Sequence, residues 1–571
     1  MTSETTIEND ASRILSACAE QMWERLQAKE PYYRCRAGRN VETLPTGSLE
    51  EAEIDASEGM RIAATISTLD RVRLSQTDQI TADVLAHMAE DITRQPEEWW
   101  DSFPVTPYVS IIGISSHLRQ VFAPFIFTDK SDSDRYLSLL TDYRNLLRNS
   151  AEKMLSLAER DWRIAQPAIA GAQSVLVGLR AAVLQTLIPK AETLSPLGGA
   201  ASSIGETIAR RVNDEILPAV DMLIAILNDD YARLAPSSVG LVHMRGGDEA
   251  YARAIRRHLT EPVAFETLHA IGLEDVARIT DAMARLRAEN GWAAREDVFH
   301  AELRQSPASY AASPEAVEVA YHRYLDKMNA ALPTLFRKVP DAPLRIVRLP
   351  QDAEAGMAYG YYEGPSRAGD AGTYYFNGSS LSDRLQIRAA ALILHEGIPG
   401  HHFHLARQVE NIGLPAIRRE NGEISVFNEG WAEYASGLGV EAGVYDDPID
   451  LYGRYLHERF IAQRLVVDTG LNALGWTLDE ARAFMRNNTL ESEDQITAEL
   501  LRYSTDWHGQ SLSYHYGLRQ FRDLRKHAAT APGFDVRDFH ETILSEGALP
   551  MRVLNENIMR RFPVSGTGVS P

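Results

Sequence analysis

Apolar residues recur three and four apart over residues 8–30 and 50–95, with few glycines to interrupt them. That spacing predicts helices there and over about 108–165. Glu97-Glu98-Trp99-Trp100 and the Pro104–Pro107 stretch punctuate the pattern, and the paired tryptophans read as packing anchors more readily than as a binding platform. From Leu187 to Gly205, prolines, glycines and serines cluster, which predicts a loop between helices and the place for a hinge or lobe boundary. Helical spacing returns from Gly246 to about 330. It then gives way to short aromatic and β-branched runs, Leu344–Leu349, Met357–Tyr362 and Thr373–Phe376, separated by Gly/Pro turns. These predict a small antiparallel sheet. Helices resume at about 381, where Ser380 and Asp383 fit a capping box, and continue to about 558. Val564–Pro571 reads as a frayed tail.

The expected fold is therefore mainly α with one small antiparallel sheet. At 571 residues the chain can bury a large core. The reading divides it into an N-terminal helical lobe, 1–240, and a second lobe, 241–571, that carries the chemistry. The balance of 44% hydrophobic and 24% charged residues is that of an ordinary globular protein. A net charge of −21 repels phosphate backbones and argues against a nucleic-acid partner. The N-terminal residues are acidic and polar, without the basic and apolar segments of a signal peptide. Runs such as Ala389–Leu394 are too short to span a bilayer, so the expectation is a cytoplasmic chain with no membrane partner. Cys18 and Cys35 match no metal spacing and read as free thiols.

The chemistry concentrates in Ala389–Gln408, AAALILHEGIPGHHFHLARQ, where His395, His401, His402 and His404 fall within ten residues. Glu396 follows the first of them, and an acidic cluster, Asn428-Glu429-Gly430-Trp431-Ala432-Glu433-Tyr434, comes about 30 residues later. A catalytic zinc site needs about three nitrogen or oxygen ligands and an open position. On one helix, histidines at i and i+4 share an ion, but Pro399 occupies that second place. On an unbroken helix His401 would face the wrong side, and His402 would lie about 10.5 Å along the axis. Pro399 lacks an N–H and would clash with the carbonyl of His395, while Gly397 and Gly400 permit unusual backbone angles. The sequence therefore predicts a break at Gly397–Gly400 that loops out about two residues and brings His401 back beside His395. His402 stands as the alternative second ligand. Glu429 is the expected third ligand, and Glu433, one turn on, shares its helical face and is placed to hydrogen-bond a ligand imidazole. Glu396 is the expected general base, taking a proton from the attacking water and passing it to the leaving amine. Clustered histidines also occur as surface decoration or core networks. The combination of His-Glu, a Gly/Pro break, a second histidine and a downstream Asn-Glu is much rarer.

His-Glu-Gly-Ile-Pro-Gly-His-His at 395–402, followed by Asn-Glu-Gly-Trp-Ala-Glu-Tyr at 428–434, resembles the bacterial family known as domain of unknown function 885. Its members carry HEGxPGH and EGWA motifs and are regarded as relatives of the gluzincins, zinc peptidases with a downstream glutamate ligand. Supporting likenesses are Gly247–Tyr251, Arg464–Gly470 with Gly475-Trp476, and Arg502-Tyr503 leading to Gly509-Gln510 and Ser513-Tyr514. The resemblance implies a large helical, zincin-like fold with a deep cleft lined by the metal helix, and it favours His401 as second histidine. Tyr514 matches a family tyrosine. A phenol donor opposite the metal would stabilise the oxyanion of a tetrahedral intermediate, although packing is the other reading. Arg502 is read either as a clamp on a substrate carboxylate or as a structural ion pair. Thr373–Phe376 is expected to pair with an extended substrate, with Tyr374 and Tyr375 contacting it. The chain departs from the family pattern at His508, Asn472 and Glu433, so substrate choice does not carry over.

The leading reading is a zinc-dependent hydrolase, a metallopeptidase cleaving small or unstructured peptides. Beside it stand a metal-dependent amide hydrolase for a non-peptide metabolite and a non-catalytic metal- or peptide-binding protein. The intact Glu396 argues against the last, because binding alone needs no general base.

Overall fold

The structure is a computed structural model of the chain and describes residues 2–108, 111–354, 359–421 and 424–563. Met357 and Ala358, expected to open a strand, and the expected tail Val564–Pro571 lie outside the described residues.

The periodic segments form helices where their caps allow. In the N-terminal part these are α1 (Thr2–Lys29), α2 (Leu49–Ser67), α3 (Gln76–Glu98), α4 (Lys130–Glu159), α5 (Gln166–Thr186) and α6 (Leu217–Ile226). Ser48 and Ser75 accept hydrogen bonds from the backbone N–H of Glu51 and Asp78, satisfying donors that the first turns of α2 and α3 leave free. α5 is long and apolar enough to cross a membrane by composition. Its Ala168, Ile169, Ala172, Leu176, Leu179 and Val183 are nonetheless buried in the main core. Trp99 and Trp100 pack edge to face at 4.6 Å, with Lys153 and Arg160 over their rings, so they serve as packing anchors. Cys18 and Cys35 are free thiols.

Further on come α7 (Gly247–Leu259), α8 (Phe265–Glu289) and α9 (Pro314–Leu335). Then follow the strands β1 (Leu344–Arg348), β2 (Gly360–Glu363) and β3 (Gly372–Phe376). The sheet order is β1-β3-β2, with β1 parallel and β2 antiparallel to β3. The sheet is thus mixed, correcting the antiparallel expectation, because the chain crosses over between β1 and β3 instead of turning back directly. β3 lies in the middle, with its backbone bonded on both sides. It therefore has no free edge for a substrate, contrary to the role expected of Thr373–Phe376.

Helices after the sheet build the site: α10 (Ala389–Glu396), α11 (His401–Glu410), α12 (Ser425–Leu438), α13 (Pro448–Asn472) and α14 (Leu512–Ala528). The capping box at Ser380 does not form; Ser380 precedes a short 3-10 turn and α10 begins only at Ala389. α13 is the central helix, buried without interruption from Leu456 to Asn472. α8 lies along it, and a Cβ on Gly272 would come within 2.7 Å of Val466, so glycine sets that approach. One buried cluster runs from Val41 to Phe562 and ties both parts of the chain into a continuous core.

Candidate metal centre

Ala389, Ala390, Ala391, Ile393 and Leu394 bury α10 in the core, and the helix stops at Glu396. Gly397 (φ −101°, ψ −118°), a cis Ile398-Pro399 peptide and Gly400 (φ −80°, ψ −125°) carry the chain around, and α11 restarts at His401. The turn doubles back over the end of α10 so closely that a Cβ on Gly400 would lie 1.9 Å from the His395 carbonyl oxygen. The fully buried Trp431 holds it from below, its indole Nε1–H donating to the Pro399 carbonyl at 3.0 Å. The break thus lies at the predicted residues. It sets the His395 and His401 rings 4.7 Å apart and nearly perpendicular.

Glu429 reaches them from α12. That helix meets α14 at Gly430 and Gly517, where a Cβ on either would approach the other's backbone to about 2.6 Å. Glu429 Oε2 lies 3.6 Å from His395 Nε2 and 3.3 Å from His401 Nε2. This oxygen is buried and has no hydrogen-bond partner. Burial pushes the Glu429 carboxyl up, but the His401 and His395 imidazoles and a hydrogen bond from Tyr514 bring it below its ordinary value.

The far sides of both imidazoles are also engaged. His395 Nδ1 lies 3.0 Å from Glu433 Oε1, and the same oxygen takes His457 Nε2 at 2.8 Å. Arg454 reaches the other Glu433 oxygen at 3.5 Å. His401 Nδ1 meets His404 Nε2 at 3.3 Å. These contacts lie behind the two rings, and both Nε2 atoms are turned toward Glu429. Burial lowers the basicity of His395, yet Glu433, Glu396 and Glu429 outweigh it and hold the imidazole up at about 9.

The ligand atoms of His395, His401 and Glu429 all lie within 4.8 Å of one another. Two imidazole nitrogens and a buried carboxylate oxygen without a hydrogen-bond partner, with Glu433 and His404 behind the rings, fit a zinc ion. His395, Glu433 and His457 are equally close together, but N–H and guanidinium donors already engage Glu433 there, so that set supports the first. Glu396, half-buried beside His395, is not among the converging atoms. Burial raises its carboxyl, partly countered by His395 and His401.

The other expected site residues divide. His402 does not join the cluster. Its Nδ1 bonds the Tyr362 hydroxyl and its Nε2 the Ala342 carbonyl, both at 2.9 Å, so both ring nitrogens are used in fixing α11 to the sheet. Gly372 leaves room for that pair, since a Cβ there would lie 2.0 Å from the Tyr362 hydroxyl. Tyr374 is fully buried against Tyr321 on the core face of β3, which corrects its expected substrate contact. Tyr375 lies on the opposite face, half-buried and stacked on Tyr361 at 5.1 Å. Tyr514 is at the centre, its ring parallel to His395 at 6.2 Å, and burial pushes its hydroxyl up to about 12. Arg502 lies next to it, bonded to Gln510. The sequence pattern assigns no role at the site to His404, Trp431 or Gln510, and does not single out His457. His457 sits on α13 seven residues before the Arg464–Gly470 stretch and belongs to no motif, whereas Trp431 lies inside EGWA.

A family model described as "Bacterial protein of unknown function (DUF885)" matches residues 31–558. No curated protein matches the chain. A solved structure from Colwellia psychrerythraea, described as a "putative lipoprotein", aligns with a TM-score of 0.81 at 22% identity, covering 97% of this chain and 99% of that one. Another from Shewanella oneidensis, described as a "putative lipoprotein of unknown function", aligns with a TM-score of 0.74 at 17% identity, covering 95% and 99%. At these identities the likeness is one of fold.

Proposed function

From the premise that this chain belongs to the DUF885 family of bacterial proteins of unknown function, we propose that it is a zinc-dependent hydrolase, a gluzincin-like peptidase of small or unstructured peptides. The observation that carries this reading is the orphaned Glu429 oxygen lying 3.3 and 3.6 Å from two imidazole Nε2 atoms. Zinc bound there would polarise the substrate carbonyl and lower the pKa of the attacking water toward 7. Glu396, at the edge of the cluster, takes that water's proton and returns it to the leaving amine. Tyr514 donates its phenol proton from the side of Glu429, where negative charge develops on the substrate oxygen. A cleft above His401 and Glu429, whose side chains keep 14% and 18% of their surface open to solvent, belongs to the same reading. Both solved neighbours carry the description lipoprotein, which argues for a location outside the cytoplasm, against the expectation from the N-terminal residues.

Metal analysis and digestion test the reading together. The purified chain is expected to hold about one zinc per molecule and to cleave members of a peptide library, with chelator stopping the cleavage. His395→Ala removes a ligand and is expected to lose both. A chain that binds no divalent metal before or after the substitution refutes the proposal.

Glu433 gives a finer test. Glu433→Gln keeps the shape but removes the charge behind His395, and weakens zinc binding about 10- to 100-fold. Competition with a chromophoric chelator measures it. Unchanged affinity would mean that Glu433 serves packing and not the imidazole.

A further inference from the structure

Beside Tyr514, on the wall formed by α13 and the segment before α14, three guanidiniums face two carboxylates. Arg388 pairs with Glu491, while Arg464 and Arg502 share Glu499. The sharing is unequal. Arg464 donates to the Tyr503 hydroxyl at 2.9 Å and to Glu499 at 3.3 Å, and its guanidinium lies 4.5 Å over the Tyr514 ring. Tyr503 also gives its hydroxyl proton to Glu499. Arg502 is left 3.6 Å from Glu499, its Nε is buried without a partner, and 23% of its side chain is open to solvent. In a chain of net charge −21, this corner beside the candidate metal centre holds a cation lacking a full counter-charge.

That cation lies close to the centre. Arg502 donates to the Gln510 side-chain oxygen at 3.0 Å, and Arg464, which shares Glu499 with it, lies over the ring of Tyr514, itself parallel to His395 at 6.2 Å.

We propose that Arg502, backed by Arg464, holds the terminal carboxylate of a peptide, so that the chain removes residues from the C-terminal end instead of cutting within. This rests on the hydrolase reading above. Water adds across the scissile C–N bond: its hydroxyl goes to the carbonyl carbon, and its proton passes through Glu396 to the nitrogen of the departing residue. The fork of N–H groups on arginine matches a carboxylate, and a C-terminal amide offers neither the charge nor the second acceptor oxygen.

Isothermal titration of the full chain with N-acetyl-L-phenylalanine and with its amide tests the clamp without requiring turnover. The acid is expected to bind about tenfold tighter or more. Arg502→Met erases the difference, and Arg502→Lys keeps part of it. Equal affinity of the wild-type chain for both probes, binding of neither at millimolar concentration, or a preference that survives in Arg502→Met overturns the proposal. Should Arg502→Met fail to fold by circular dichroism, the wild-type comparison and Arg502→Lys decide it. Zinc content on the same preparations separates the two ideas. A zinc-loaded chain that cleaves amide-blocked peptides as readily as free acids overturns the clamp alone. A zinc-free chain that still prefers the acid supports the clamp and overturns the metal reading.

Discussion

Glu396→Gln leaves the zinc content of the chain unchanged and lowers peptide turnover by about a thousandfold or more. The two halves of this result come from the same geometry. Glu396 follows His395 on α10 but is not among the three side chains whose donor atoms converge, so zinc loses no ligand with it. Glutamine matches the carboxylate in shape but accepts no proton, so the attacking water has nowhere nearby to lose one. Glu429 and Glu433 do not replace it. Glu429 lies between two imidazoles, and Glu433 is fully buried under His457 and Arg454. Metal content by mass spectrometry and turnover of one library peptide, read on the same preparation, check both halves. Turnover that survives removes Glu396 from its role as base. Zinc lost together with turnover would move Glu396 into the ligand set.

The centre was more legible in the sequence than the fold around it, and the reason is local. Pro399 and the two glycines constrain the backbone through their own chemistry, whatever packs around them. The turn between His395 and His401 could therefore be read from eight residues. Glu429 and Glu433 followed from one helical repeat. The motif alone does not decide between His402 and His401, because the orientation of α11 depends on the Ala342 carbonyl and on Tyr362, 60 and 40 residues away. The sheet was misread for a similar reason. Strand runs are visible in the period of the sequence, but whether β3 lies at an edge depends on a crossover that periodicity does not encode. α13 is the clearest illegible element. It is buried nearly all round yet carries Arg454, Glu458, Arg459 and Arg464, which a pattern reading assigns to a solvated face. Their partners, among them Arg522 on Glu458 and Glu296 on Arg459, come from distant segments. Such buried pairs hold position only when every member is present.

Gly400→Ala is expected to destabilise the fold by about 3 kcal/mol or more and to weaken zinc binding with it. The new methyl would lie 1.9 Å from the His395 carbonyl oxygen and 2.5 Å from that of Leu394, and both are backbone atoms of α10. No side chain can rotate away, so either the end of α10 or the start of α11 must shift. His401 is the first residue of α11, and a displacement of about an ångström there takes its Nε2 off the line to Glu429. Gly397→Ala meets a softer obstacle, the Ile393 carbonyl at 2.8 Å and the mobile end of Leu344 at 2.9 Å, so it costs less. Gly178→Ala in the middle of α5, where nothing lies within 4 Å, is the control: it leaves zinc binding unchanged and raises stability by about 0.5–1 kcal/mol. Thermal unfolding and chelator competition on the three variants are expected to rank Gly400 below Gly397 below Gly178. A Gly400→Ala chain as stable and as tightly metal-loaded as the control would mean that the turn has slack. In that case Trp431, gripping the Pro399 carbonyl from α12, would be what sets His401 beside His395.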